Sequence, residues 1–374
     1  MTKSTGPDRH LDKRRSGFAD NKGPSGSARA SVPGLGPLLN IFRNLPMLPV
    51  IVIAVLVLSF TIDGFMSVGN LQNIMRQLSV ILIAVTGETL VLLIGGIDLS
   101  IGAAIGLASV CGAFAMHYSD SPMVGLLACL ATGAAIGALN GFGISRGGLQ
   151  PFIATFGMML TVRAIGFLLT GGLSIGKLPK FVLQAGRLNV EGLPLVFILG
   201  LSVAVLMGLV LSRTVFGEKI YLTGSNPRAA AFSGINVERL KFQVYLIAGT
   251  LAGVAAFVFM MRLGAATPTA GDQLLLPTIG AVVLGGTSLT GGEGGIIRSI
   301  SGALLVAILI KSLEIMGAQF WDQMIVIGAL TALGSALGAW LSRRRTRESK
   351  REDLMELIEQ MPAEQESSAA RMRD

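Results

Sequence analysis

The chain has 374 residues, of which 51% are hydrophobic and only 14% charged; soluble domains carry roughly 25% charged residues, so a water-soluble globular protein is excluded. The net charge is +8, but its basic residues crowd into the two ends, eight in 1–46 and eight in 342–374. No basic stretch is interleaved with aromatics, which excludes a nucleic-acid binder.

Residues 1–46 read as a disordered basic tail, too poor in apolar side chains to order itself and without the early apolar run of a signal peptide. Apolar segments follow at Met47–Ile62, Leu78–Ile94, Leu99–Met116, Met123–Ser145 and Pro151–Thr170. A second set covers Leu193–Ser212, Gln243–Met261, Leu274–Gly285, Ile296–Met316 and Asp322–Leu341. A spanning helix needs about 20 residues; Leu274–Gly285 is short by itself and reads as a half-helix or a re-entrant piece. The expected fold is therefore an all-α polytopic membrane bundle of about ten transmembrane helices, some broken or halved, over residues 47–341. Ten crossings return the basic tail 342–374 to the side of the N-terminus, as the clustering of Lys and Arg on the cytoplasmic side requires. Loop 213–242, with Arg213, Lys219, Arg228, Arg239 and Lys241, then faces the cytoplasm. Loop 171–192 faces outward although it holds Lys177, Lys180 and Arg187. Within the C-terminal tail, Leu354, Leu357 and Ile358 share one helical face over 348–360, which reads as a short surface helix or a frayed end, with a docking helix as the alternative.

Catalytic features are missing. Cys111 and Cys129 sit in apolar runs as packing residues, and His10 and His117 are far apart, so no metal site is expected. Gly171 to Leu178 resembles a phosphate-binding loop but has Leu178 where Ser or Thr must hold magnesium. Gly172-Leu-Ser174-Ile-Gly176 matches a nucleophile elbow without its strand-to-helix context. If ATP powers this protein, another chain binds it.

Three stretches stand out. Gly95-Gly96-Ile97-Asp98-Leu99-Ser100 joins the second and third segments. Its glycines permit a sharp break, and its Asp98 or Ser100 either caps the next helix or lines a pathway at membrane depth. Gly285-Gly286-Thr287-Ser288 joins the eighth and ninth segments in the same way and hints at an internal repeat. In loop 213–242, Asn226 and Pro227 read as helix cap and first helical residue, Ala229 to Phe232 as a helical turn, and Gly234 as its end. A helix so short needs a partner, either its own bundle or another protein.

These stretches, together with Pro151-Phe-Ile-Ala-Thr155 leading to Arg163 and Val283-Leu-Gly-Gly-Thr-Ser288, closely resemble the permeases of ABC sugar importers of the ribose, xylose and arabinose type. The resemblance runs from about residue 47 to 341. It implies a bacterial inner-membrane location with both termini cytoplasmic. The implied assembly has two permeases, identical or different, two cytoplasmic ABC ATPases that bind ATP and magnesium, and a periplasmic solute-binding protein. This chain itself would bind no cofactor. The coupling element on the ATPase would comprise Gly224, Asn226, Pro227, Arg228, Ala229, Ala230, Ser233 and Gly234. Glu88 departs from the family pattern, which has an uncharged residue there. A lone carboxylate at that depth costs a few kcal/mol, so Glu88 either faces the translocation path, with Asp98, Ser100, Thr155 and Arg163, or is neutralised against Arg163 or a neighbouring helix. The rival readings are a permease for another cargo, such as a branched-chain amino acid, a nucleoside or a signalling sugar, and a secondary transporter acting alone.

Overall fold

The computed structural model describes residues 45, 47–334 and 336; the expected tail 1–46, apart from residue 45, the helix over 348–360 and the rest of 342–374 lie outside them. The helices are α1 (Leu48–Thr61), α2 (Val68–Leu93), α3 (Ile101–Ser119), α4 (Pro122–Ser145), α5 (Pro151–Thr170), α6 (Lys180–Arg187) and α7 (Leu195–Arg213). They continue with α8 (Val215–Ser225), α9 (Pro227–Phe232), α10 (Val237–Leu263), α11 (Leu275–Leu284) and α12 (Ile296–Ile315), and with α13 (Phe320–Gly334). A two-residue hairpin, β1 (Asn189–Val190) and β2 (Leu193–Pro194), is the only sheet among the described residues.

Seven of these helices are long and apolar enough to cross a membrane, and α1, α11 and α13 are shorter apolar helices. The chain is a multi-pass membrane protein, and each of the ten expected segments has its helix. At about 1.5 Å per residue, the ten residues of α11 reach halfway through a hydrocarbon core about 30 Å thick.

Burial sorts the spans into a centre and a rim. Every residue of α2 from Leu78 to Leu93 is buried, the mark of a helix apolar all round and surrounded by others. Its most apolar window is 89% buried, against 17% for α5 and 22% for α7, whose side chains face outward. The α4–α10 pair comes closest. A side chain on Gly133 or Gly137 would strike the Gly249 or Tyr245 carbonyl, so backbones touch where lipid offers no hydrophobic drive.

Two regions differ from the sequence expectation. Loop 213–242 is largely helical: Thr214 accepts a hydrogen bond from Gly217 N and starts α8, which leads into α9. Loop 171–192 holds α6 and leads into the hairpin, tied to α2 by Arg76, which donates to Gly186 O and Asn189 Oδ1, both at 2.8 Å. Its phosphate-loop look-alike is occupied structurally: Ile175 bridges Ala266, and Leu178 is buried. Cys111 and Cys129 are free thiols.

Candidate functional site: a junction of two helix breaks beneath a short loop helix

The two glycine breaks have the same geometry. Gly95 takes φ +73, with Gly95 N donating to Leu92 O and Gly96 N to Val91 O, both at 2.9 Å. Gly286 takes φ +88, with Gly286 N donating to Val283 O at 2.9 Å and Thr287 N to Val282 O at 3.2 Å. Each helix thus ends in a left-handed glycine whose amide, with that of the next residue, closes onto the last turn. The equivalence is Gly95 with Gly286, one residue away from pairing Gly95-Gly96 with Gly285-Gly286. Helix α9 ends identically at Gly234, φ +82, with Ile235 N donating to Ala230 O at 3.1 Å.

The breaks also touch each other. Gly292 N, in the loop after the second break, donates to Leu93 O at 2.9 Å, just before the first. Gly224, near the end of α8, fills the remaining space. A Cβ there would collide with Leu93 O and crowd Gly292 N. Tyr221, one turn earlier, donates its hydroxyl to Gly294 O at 3.1 Å. All three stretches singled out in the sequence therefore meet at one place.

From this junction α9 projects outward. Asn226 accepts from Arg228 N and Ala229 N, both at 3.1 Å, and Pro227 occupies the first turn. Ala230 alone is buried, against 94% exposure for Phe232; Arg228, Ala229, Ser233 and Gly234 are also exposed. An exposed phenyl ring on a six-residue helix is not a feature its own bundle satisfies.

On the other side of the first break lies a sealed polar cluster. Glu88, Thr155, Ser100, Asn140 and Asp98 are at most 3% exposed. Glu88 Oε1 accepts from Asp98 N at 3.3 Å. Asp98 Oδ1 accepts from Ser100 N at 2.8 Å and Ser100 Oγ at 2.6 Å, and Asn140 Nδ2 donates to Ser100 Oγ at 2.8 Å. Thr155 Oγ1 accepts from Leu99 N at 3.2 Å, while Tyr245 donates to Ile97 O at 3.4 Å. Ser100 is the cap residue of α3 but makes no side-chain cap bond; Asp98 holds it instead.

Arg163 stands apart from this cluster. It pairs with Asp272 at 2.8 Å, so it does not neutralise Glu88. Asp272 lines a cavity with Gln77, Arg262, Gln273, Glu314 and Gln323. Asn140, Tyr245 and Asp272 were not singled out in the sequence; the first two are recognisable only once α4 and α10 are placed beside the break, and Asp272 once the 264–274 segment is placed against α5. Among the described residues no group of three His, Cys, Asp or Glu side chains gathers as a metal site.

Known sequences place the chain among membrane permeases. A family described as "Branched-chain amino acid transport system / permease component" matches residues 70–334. The ribose import permease protein RbsC of Escherichia coli strain K12 is 38% identical over 283 residues, covering 74% of this chain and 87% of that protein. RbsC of Bacillus subtilis is 34% identical over 305 residues, covering 81% and 92%. The fructose import permease protein FrcC of Rhizobium meliloti is 33% identical over 307 residues, covering 79% and 85%. No solved structure matches the chain. By the extent of these matches, the chain belongs to the family of permease components of the branched-chain amino acid transport system type.

Proposed function

We propose that this chain is the membrane-spanning permease subunit of an ATP-binding-cassette importer that carries a monosaccharide or related polyol across the bacterial inner membrane. The family description names branched-chain amino acids, but ribose, fructose and D-allose name its relatives at 32–38% identity, which favours the sugar. ATP and magnesium would bind on a separate cytoplasmic ATPase, cargo would arrive on a periplasmic binding protein, and a second permease, identical or not, would complete the pathway. Both termini would be cytoplasmic.

The observation that carries this reading is the Leu93–Gly292–Gly224 contact. The exposed α9, with Arg228 and Phe232, is suited to sit in a groove of the ATPase. A pull on it passes through Gly224 to both helix breaks at once, because no space exists between them to absorb it. Two glycine-ended helices can then tilt as rigid pieces, exchanging outer for inner access. The sealed cluster of Glu88, Asp98, Ser100 and Thr155 would act by holding the first break in register. Cargo hydroxyls would instead meet the polar cavity beside Asp272 and Arg163.

Affinity purification of the tagged chain from its native membrane tests the reading. A stoichiometric ATPase is expected, and Arg228→Ala combined with Phe232→Ala should release it. Purification without any ATPase, while the chain still takes up cargo, would contradict the proposal.

A further inference from the structure

A second surface lies beside the junction and is not the one proposed to meet the ATPase. Between α7 and the start of α12 runs an outward-facing groove whose walls are Val205, Leu209, Ile297 and Ile300. Val205, Leu209 and Ile297 are more than half exposed, at 51%, 52% and 65%. Tyr221 and Arg298 line the same groove at the end of the bundle that carries α9. Arg298 lies close enough for its charge to counter part of the rise that burial imposes on the Tyr221 phenol.

Arg298 is the unusual member. The two ion pairs among the described residues are Arg163–Asp272 and Lys311–Glu314, and the Arg298 guanidinium, half-buried, donates no hydrogen bond among the described residues. A cation at the rim of an apolar groove between membrane helices calls for an anion whose remainder is apolar. A bilayer supplies that chemistry, since basic pockets between transmembrane helices take anionic lipid headgroups. Ser212 also lines the groove and is followed by Arg213, the last residue of α7, which adds a second positive charge to this end.

We propose that the α7–α12 groove is a binding site for an anionic phospholipid, with an acyl chain along Val205, Leu209 and Ile297 and the phosphate on Arg298. The lipid would lie against α8 and the loop before α12, next to the junction, so it would brace the contact that Tyr221 makes with Gly294. This site does not depend on the identity of the cargo.

The test places a tryptophan in the groove by Leu209→Trp in the full chain. The protein is reconstituted into phosphatidylcholine bilayers containing either brominated phosphatidylglycerol or brominated phosphatidylcholine, and quenching is measured after subtracting the native tryptophans. The expected result is about fivefold preferential quenching by phosphatidylglycerol, the ratio given by about 1 kcal/mol per basic residue near an anionic surface. Arg298→Gln should abolish the preference and Arg298→Lys should keep most of it, whereas Arg187→Gln, at the opposite end of the bundle, should change nothing. Excess inorganic phosphate should leave the preference intact. Equal quenching by both lipids, or loss of the preference on adding phosphate, would overturn the proposal. So would an absence of quenching by either lipid, which would mean that a second copy of the chain or another subunit covers the groove.

Discussion

Gly292 donates its backbone amide to the carbonyl oxygen of Leu93 at 2.9 Å, so two helix breaks almost two hundred residues apart share a hydrogen bond. That single bond, with Gly224 seated against both partners, ties the membrane bundle to the loop helices.

Gly224→Ala tests the tightness of that seat. The added methyl would meet backbone on both sides, where no flexible side chain can yield, so α8 must shift. Uptake should fall at least about tenfold, the effect of roughly 1.4 kcal/mol, at normal membrane expression. Gly234→Ala is the contrasting case, with open space but φ +82. It should cost about 1 kcal/mol of local stability through backbone strain and reduce uptake mildly. Transport assays on whole cells at matched expression compare the two, and equal uptake by the Gly224 and Gly234 variants would contradict the account.

Glu88 separates a structural carboxyl from a pathway one. Glu88→Gln retains an oxygen acceptor for Asp98 N and removes the ionisable group, so uptake should stay within about twofold, less than 0.5 kcal/mol by the rate arithmetic. Glu88→Ala strands a buried amide, which costs about 1–3 kcal/mol, and should lower the melting temperature in detergent. A severe uptake loss in the Gln variant with an unchanged melting temperature would show instead that the carboxylate acts on the cargo.

Asp272 gives a pH test. Burial raises its carboxyl above the ordinary value of 3.8, and the Arg163 charge opposes the rise. An acid that holds its proton more tightly when folded contributes stability that is fully present below its ordinary value and lost as pH rises through the raised one. The melting temperature of the native chain should therefore fall relative to Asp272→Asn as pH rises through that acidic window. Because both partners are partly exposed, at 44% and 30%, the ion pair adds at most about 1 kcal/mol. A relative gain for the native chain over the same window would mean that the pair outweighs burial.

Much of this organisation is legible in the sequence because lipid permits few backbone solutions. Long apolar runs become helices, so all ten segments appear, and the short ten-residue run of α11 stands out by length alone. Glycine at Gly95, Gly286 and Gly234 announces left-handed helix ends through local chemistry, as Asn226 announces a cap. What sequence does not convey is long-range. The Arg163–Asp272 pair spans 109 residues, and the bond from Asn140 to Ser100 depends on α4 lying beside the break. Helix α8 hides because Gly217 and Gly224 weaken its pattern; those glycines are there for close contact with Leu211 and Leu93. The one-residue offset between the two breaks is likewise visible only in their hydrogen bonds.

ATP-driven uptake in proteoliposomes tests the central claim most directly. The chain is reconstituted with its co-purified ATPase and its binding protein loaded with radiolabelled ribose, fructose or allose. The account predicts accumulation of at least one sugar that requires ATP, the ATPase and the binding protein together. Uptake by this chain alone, driven by an ion gradient and indifferent to ATP, would contradict it.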